Sequence, residues 1–305
     1  MGYCLKDCLV IGVSSRALFD LSFENGIFET EGLLPYKRYQ IEHENDVLKP
    51  GPGFAIVKSL LNLNGPGERK RVEVLIMSRN SADTSLRIFN SIEHYGLNIT
   101  RAVLSGGAAL APYLSAFGAD LFLSAYPDDV QKAIDSNIAA GILCTDGIPA
   151  YPERDIDELR IAFDGDAVLF SDESERIFKE QGLEAFEHNE RCNADNPLPE
   201  GPFARFLKTL ANIQKEFEGT DRKPIRTALV TARHAPAHER VVRTLRAWDV
   251  RVDESFFLGG IDKKEVLAAF GAHIFFDDQA THTESASKVV PAARVPIKTN
   301  RCRQE

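Results

Sequence analysis

The feature that most constrains this chain is that it matches itself. Shifted by 150 positions, Ile27-Phe28 meets Ile177-Phe178, Gly32-Leu33 meets Gly182-Leu183, Leu48 meets Leu198, Gly51-Pro52 meets Gly201-Pro202 and Lys58 meets Lys208. At a shift of 153, Gly106-Gly107 meets Gly259-Gly260, Ala116-Phe117-Gly118-Ala119 meets Ala269-Phe270-Gly271-Ala272, and Phe122 meets Phe275. Between these blocks Tyr95 falls on Trp248 and Ser78 on Thr231. Self-similarity at a fixed spacing means that both halves follow one supersecondary plan. Two copies are expected, at about 8–145 and 158–298, and with them two domains, 1–150 and 151–305. The competing explanation is a pair of unrelated segments that share an apolar period.

Each copy has the same coarse order. A short apolar strand comes first, at 8–13 and 159–163, followed by a polar excursion at about 20–50 and 171–200. A helix opened by Gly-Pro precedes a second strand, at 72–77 and 227–230. Then come a helix (84–95; 238–248), a third short strand, a helix after Gly-Gly and a fourth strand (120–123; 273–276). A tail after Ala280 matches 128–143, and the last residues, Lys298 to Glu305, are expected to fray. Strands that alternate with helices predict an α/β fold built on a Rossmann-type, doubly wound parallel sheet. In such sheets ligands bind beyond the carboxyl ends of the strands, so the residues there are the ones to inspect.

In the second copy those ends carry Asp164-Gly165-Asp166, then Thr231-Ala232-Arg233, then Lys263-Lys264 ahead of the last strand, then Asp277-Asp278. Carboxylates gathered at one edge repel each other unless a cation lies among them. Oxygen ligands with open positions suit Mg²⁺, which also takes a substrate phosphate and water. Asp164 is placed to attack phosphorus, and Asp166 to protonate the leaving oxygen and later activate water. Thr231 and a lysine are placed to hold phosphoryl oxygens as charge develops. Gly165 lets the backbone approach the phosphate, with Ala232 and Arg233 beside it.

These four elements in this order resemble the haloacid dehalogenase-like (HAD) phosphohydrolase superfamily. A closer resemblance, over most of the chain, is to the cytosolic 5′-nucleotidases of type I, the AMP-preferring group. It is carried by the segments 13–19, 38–45, 162–175, 229–233 and 274–279. The stretch Ala162-Phe163-Asp164-Gly165-Asp166-Ala167-Val168-Leu169-Phe170 is the most specific. The resemblance implies two tandem HAD-like repeats and Mg²⁺-dependent hydrolysis of nucleoside 5′-monophosphates through an aspartyl-phosphate. Asp164 would be the nucleophile, Asp166 the acid/base, and Thr231 and Lys263 the phosphate clamps. Asp164, the carbonyl of Asp166, and Asp277 or Asp278 would hold the metal.

The first copy lacks these acids. Where the second copy has Asp164-Gly165-Asp166 the first has Val13-Ser14-Ser15, Leu110-Ala111 replaces Lys263-Lys264, and Ser124-Ala125 replaces Asp277-Asp278. It is expected to be catalytically degenerate. Ser14, Ser15, Arg16 and Ser78 still offer hydroxyls and a guanidinium, a metal-free anion site for a nucleotide effector or for substrate recognition. A scaffold lobe is the alternative.

The remaining features exclude partners more than they add. The net charge is −9, with basic residues interspersed among acids, so no nucleic-acid partner is expected. No apolar run reaches membrane-spanning length and the first residues show no secretory pattern, so the expected location is the cytoplasm. Cys4, Cys8, Cys144, Cys192 and Cys302 are scattered, as for free thiols. His234 and His238 are four apart but lack the glutamate of a zinc-protease helix. Gly51-Pro52-Gly53 and Gly65-Pro66-Gly67 read as turn punctuation, not phosphate cradles. The competing functions are a phosphatase for another phosphomonoester, such as a sugar phosphate, and a nucleotide-sensing binding protein. Homo-oligomer formation is left open.

Overall fold

The computed structural model describes residues 5, 7–65, 69–145 and 158–299. The chain forms two compact units, 1–157 with 298–305, and 158–297. Cys4, Pro66, Gly67, Cys302 and the junction at 150–151 lie outside the described residues.

The first unit contains β1 (Leu9–Val13), α1 (Ser15–Leu18), α2 (Ser22–Glu31), α3 (Leu33–Glu42), α4 (Phe54–Leu61), β2 (Val72–Ser78), α5 (Leu86–His94), β3 (Arg101–Leu104), α6 (Ala111–Phe117), β4 (Leu121–Ser124), α7 (Pro127–Asp135) and β5 (Ala139–Leu143). Its strands lie in the order β3-β2-β1-β4-β5 and pair in parallel, with Leu9 opposite Val72 and Ile11 opposite Leu121. A parallel sheet is covered on both faces, so its strands are apolar throughout rather than alternating. Accordingly every residue of β1, β2 and β4 is buried. The one charge inside β2, Glu73, is tied to Lys70 at 2.7 Å and Arg101 at 2.6 Å.

The second unit contains β6 (Leu159–Phe163), a single π-type turn (Gly165–Leu169), α8 (Glu173–Gln181), α9 (Leu183–Cys192), α10 (Ala204–Lys215), β7 (Ile225–Thr231), α11 (His238–Ala247), β8 (Glu254–Phe257), α12 (Lys264–Phe270), β9 (Ile274–Asp277), α13 (Ala280–Ala286) and β10 (Ala292–Arg294). Its parallel strands follow β8-β7-β6-β9-β10, with Leu159 opposite Ile225 and Ile161 opposite Ile274. Phe163, Phe203 and Phe276 form the centre of its core, with Phe203 and Phe276 rings 4.6 Å apart. The twice-written Ala-Phe-Gly-Ala acquires a physical reason here. Gly118 and Gly271 are left-handed residues, at φ 65 and 68, that end α6 and α12.

Two expectations from sequence shift. The polar excursions are helical hairpins, α2–α3 and α8–α9, each folded about a glycine of positive φ, Gly32 and Gly182. Thr231 and Asp277 are the last residues of β7 and β9, not the first residues after them.

The turn after the first strand also corrects the alignment of the two halves. The amide of Ser14 donates to Leu123, and that of Asp164 to Phe276, so Ser14 and not Val13 stands where Asp164 stands. Beyond the turn, Gly51 donates to the carbonyl of Leu18 and Gly201 to that of Leu169. The second unit's turn is therefore one residue longer than the first's. Phe19 bonds back to Ser15, whereas Phe170 bonds back to Gly165, across one more residue. The extra residue is absorbed by Ala167 at φ 60.

Gly201 backs this longer turn so closely that a Cβ would stand 2.3 Å from the Phe170 carbonyl oxygen and 2.5 Å from that of Val168. Backbone cannot yield cheaply, so Gly201→Ala is expected to cost about 1–3 kcal/mol in chemical denaturation. Gly26→Ala, inside α2 with nothing near the added methyl, is expected to be neutral or to stabilise by up to about 1 kcal/mol. Equal effects at the two positions would contradict this account.

Candidate active site

The carboxyl ends of β6, β7 and β9 bring the sequence candidates to one place. Asp164 follows β6, Thr231 ends β7, Asp277 ends β9 and Asp278 follows it. Lys263, the residue before α12, reaches into the middle of them. Its ammonium donates to Asp164 Oδ1 and to Asp277 Oδ2, each at 2.6 Å. Lys263 is 3% exposed and Asp277 wholly buried, so these are desolvated ion pairs rather than surface contacts. Lys264 begins the helix instead, its amide accepted by Asp262. Of the adjacent lysines, Lys263 is the one inside the cluster.

Asp164, Asp277 and Asp278 each place a carboxylate oxygen within 4.8 Å of the others. Among the described residues no other group of three or more His, Cys, Asp or Glu side chains comes this close. The three acids are not equivalent. Asp277 accepts from Lys263, from the amide of Gln279 at 2.8 Å and from His282 Nδ1 at 3.1 Å. Burial pushes its carboxyl up, but His282 and Lys263 outweigh that and hold it below the ordinary range. Asp278 has the opposite surroundings. Its Oδ1 is buried with no hydrogen-bond partner. Burial, with Glu175, Asp164 and Asp277 nearby, pushes its carboxyl up to about 8. Asp164 is raised to about 7, by burial first, with Lys263 opposing and Asp277 and Asp166 adding to the rise.

An orphaned carboxylate oxygen beside two further acids is the environment that a divalent cation relieves. The donor set is all oxygen, which suits a hard ion. The residues present fit such a group.

Asp166 faces another way. Its two oxygens are gripped by the guanidinium of Arg233, at 2.7 Å from Nε and 2.6 Å from Nη2. Arg233 reaches on to Glu190 at 2.5 Å, and Glu190 also accepts from Arg240 at 3.0 Å and Ser174 at 2.8 Å. Thr231 Oγ1 accepts the amide of Arg233 at 3.2 Å and lies next to Gly165. Ala232 is exposed between them. Glu190, Arg240, His282 and Glu175 were not among the sequence candidates. Glu190, Arg240 and Glu175 act through residues distant along the chain, and a glutamate within a polar helix reads as solvated; His282 meets Asp277 five residues back, through the turn that opens α13.

In the first unit, Ser15 and Ser78 touch through their hydroxyls at 3.2 Å. Ser14 is spent on its own turn, accepting the amide of Ala17 at 3.2 Å. Arg16 lies over the ring of Tyr126, 5.6 Å from its centre. His234 turns to the carbonyl of Ala235 and His238 to Phe257, so the two histidines do not form a shared site.

The family model described as 5′-nucleotidase matches residues 1–302. The chain belongs to the 5′-nucleotidase family. It is 41% identical over 294 residues to human cytosolic 5′-nucleotidase 1B, covering 93% of this chain and 48% of that protein. It thus spans about half the length of that relative. A solved structure described as "Structure of Pnkp1/Rnl/Hen1 complex" overlays with a TM-score of 0.33 at 12% identity, covering 95% of this chain and 96% of the other. That score is too low to establish a shared fold. Among the described residues no helix is long and apolar enough to cross a membrane. The acid cluster of this 5′-nucleotidase family member lies at the sheet edge where α/β folds place their ligands.

The metal-free cluster should leave a mark on stability. A carboxyl whose folded-state pKa exceeds its unfolded value binds more protons when folded, so stability falls as pH rises between the two values. Asp278 and Asp164 are both of this kind. The metal-free chain is therefore expected to melt lower at pH 8 than at pH 5. Asp278→Asn should flatten that slope. Adding MgCl₂ at about a hundred times its Kd should stabilise the wild type by about 2.7 kcal/mol and the variant far less. Thermal melts with MgCl₂ and with EDTA check all three, and a wild-type melt unmoved by Mg²⁺ would refute the cation site.

Proposed function

We propose that this chain is a cytosolic, Mg²⁺-dependent 5′-nucleotidase that converts nucleoside 5′-monophosphates, AMP foremost, to nucleoside and phosphate. The observation that carries the proposal is the Lys263-centred cluster of Asp164, Asp277 and Asp278 in a chain of the 5′-nucleotidase family. The name of the human relative supports the cytosolic assignment. AMP preference rests on the resemblance of the motif segments to the type I group.

Asp164 and Asp278 would hold the cation directly, since Asp278 keeps an unsatisfied oxygen while Asp277 is already taken up by Lys263, Gln279 and His282. The carbonyl of Asp166 is a further ligand in this reading. When bound, the ion offsets phosphate charge and lets an anionic nucleophile approach it. Asp164 Oδ attacks phosphorus as the bond from phosphorus to the ester oxygen breaks. Asp166 must enter this step protonated, with Arg233 holding the plane of its carboxyl group, and it delivers that proton to the ester oxygen, releasing the nucleoside. Water then attacks the aspartyl-phosphate, Asp166 takes up its proton, and phosphate leaves with Asp164 restored. Lys263 and Thr231 stabilise the charge that develops on the equatorial oxygens. Gly165 and Ala232 flank the phosphate, whereas Arg233, named with them from sequence, has its guanidinium buried on Asp166 and Glu190 and acts through Asp166.

In this reading the two units are tandem HAD-like copies, the first degenerate. Ser14, Ser124 and Leu110 stand where the second has Asp164, Asp277 and Lys263. Its Ser14, Ser15, Arg16 and Ser78 are the candidate set for an effector nucleotide.

Asp164→Asn is expected to lower turnover by at least about 10³-fold while the melting temperature holds. In a panel of monophosphates AMP should be hydrolysed fastest, and EDTA should abolish release of phosphate. A sugar phosphate turned over as fast as AMP would favour the general phosphatase. Tight nucleotide binding without phosphate release would favour the sensor.

A further inference from the structure

The buried network behind Asp166 has a counterpart in the first unit, and the difference between the two assigns a role. In the first unit Arg87 donates through Nε to the carbonyl of Asp46 at 2.9 Å and through Nη1 to Glu24 at 2.5 Å. In the second, Arg240 donates through Nε to the carbonyl of Asn196 at 2.9 Å and through Nη1 to Glu190 at 3.0 Å. Next to each arginine, one turn on, a hydroxyl accepts a loop amide: Ser91 from Leu48 at 3.0 Å, Thr244 from Leu198 at 2.9 Å. The arginine and its surroundings are thus the same in both units. The carboxylate that serves it is not.

Glu24 is on the first helix of its hairpin, α2, and Glu190 on the second helix of its own, α9. At matching hairpin positions the second unit has Ser174 for Glu24, and the first has Gln40 for Glu190. Either helix can therefore satisfy the structural arginine. What changes with the site of the carboxylate is Arg233, whose place is taken in the first unit by Asn80. Both amides are accepted by the strand-end hydroxyl, Thr231 at 3.2 Å and Ser78 at 3.1 Å, which fixes the equivalence. From α9, and carrying no exposed side-chain surface, Glu190 reaches both Arg240 and Arg233.

We propose that Glu190 is a positioning residue for phosphoryl transfer: it anchors Arg233, and through the Arg233 fork it fixes the carboxylate of Asp166. This rests on the reading of Asp166 as the acid/base. A guanidinium offers five N–H groups in a rigid plane. With Nη1 fixed on Glu190, Nε and Nη2 can present only one edge to Asp166, in bidentate geometry that sets the plane of its carboxylate. Neutralising Glu190 leaves Arg233 buried with one carboxylate and free to turn. Misplacement of an acid/base by about 1 Å costs about 10²-fold in rate, and it acts on the transition state rather than on ground-state binding.

The first unit supplies the control. Glu190→Gln should lower kcat for AMP by about 10- to 100-fold with KM within about twofold, together with some loss of melting temperature. Glu190→Gln combined with Ser174→Glu moves the carboxylate to where the first unit keeps it. That variant should regain melting temperature, because Arg240 is again paired, without regaining kcat. In an Asp166→Asn background, Glu190→Gln should add no further fall in kcat. Recovery of kcat with the relocated carboxylate, a rise in KM in place of the fall in kcat, or an undiminished further loss in the Asp166→Asn background would each overturn the proposal. The Asp166→Asn background decides even if the relocated variant does not fold. If Asp166→Asn alone left kcat intact, the acid/base reading itself would be at fault, a result distinct from failure of the Glu190 assignment.

Discussion

Lys263 is the interaction on which the site depends. Three carboxylates at the end of one sheet would drive each other apart or take up protons. One ammonium, 2.6 Å from both Asp164 and Asp277, opposes this: with His282 it holds Asp277 below the ordinary carboxylate range, while Asp164 is still raised to about 7 in a place that water hardly reaches. Such a buried pair contributes less to stability than its short distances suggest, because desolvation offsets most of the attraction. Its consequence is geometric. The lysine consumes one oxygen of Asp164 and one of Asp277, and His282 and Gln279 complete Asp277. The unmet demand for a positive charge falls on Asp278 and Asp164, whose carboxyls are raised to about 8 and about 7. In the proposed reading, one part of the cluster would meet a cation and another the phosphate of the substrate.

The second constraint is one residue of chain. After β1 the backbone closes its turn from Phe19 to Ser15, and after β6 from Phe170 to Gly165. The longer turn requires Ala167 at φ 60 and an extended Asp166 between two helical stretches. A non-glycine residue at positive φ costs of the order of 1 kcal/mol or more, so the surrounding structure must hold it. It does so from two sides. Gly201 and Phe203 bond the turn's carbonyls from behind, and Arg233 takes the Asp166 side chain in front. The added residue gives Asp166 a position of its own beside Asp164, which a four-residue helix such as α1 does not provide.

How far the sequence disclosed this follows from the range of each interaction. The Asp-x-Asp, the Thr-Ala-Arg and the acidic pair were legible because each lies at a strand end, and strands are marked by local apolar runs; the lysine was legible because it opens the helix that leads into the last of them. The paired glycines were legible too, since a left-handed helix end or a backbone contact admits little else. The one-residue offset at Val13 was not legible, because an inserted turn residue leaves the flanking apolar pattern intact. Glu190 and Arg240 were hidden for another reason. Their partners lie 16 to 50 residues away, and α9 is polar enough to read as a solvated helix. His282 likewise follows a strand whose acids attract the attention, and only the fold turns its ring towards Asp277.

The two units together separate what the architecture needs from what the chemistry needs. Common to both are the glycine pressed on the turn, the arginine on the loop carbonyl and the hydroxyl on the leucine amide. These groups tie the helical hairpin and the loop after it to α5 or α11 and to the turn beyond the first strand. Confined to the second are Asp164, Asp166, Lys263, Asp277, Asp278, Arg233 and the placing of Glu190. Charged groups are expensive to bury, and a unit that holds no cation gains nothing from keeping a cluster of acids. The first unit instead has Ser14, Leu110 and Ser124 at those positions, residues that pack or bond locally at no such cost. The buried acids of the second unit are thus retained against their own energetics, and the ligands that neutralise them are what such an arrangement requires.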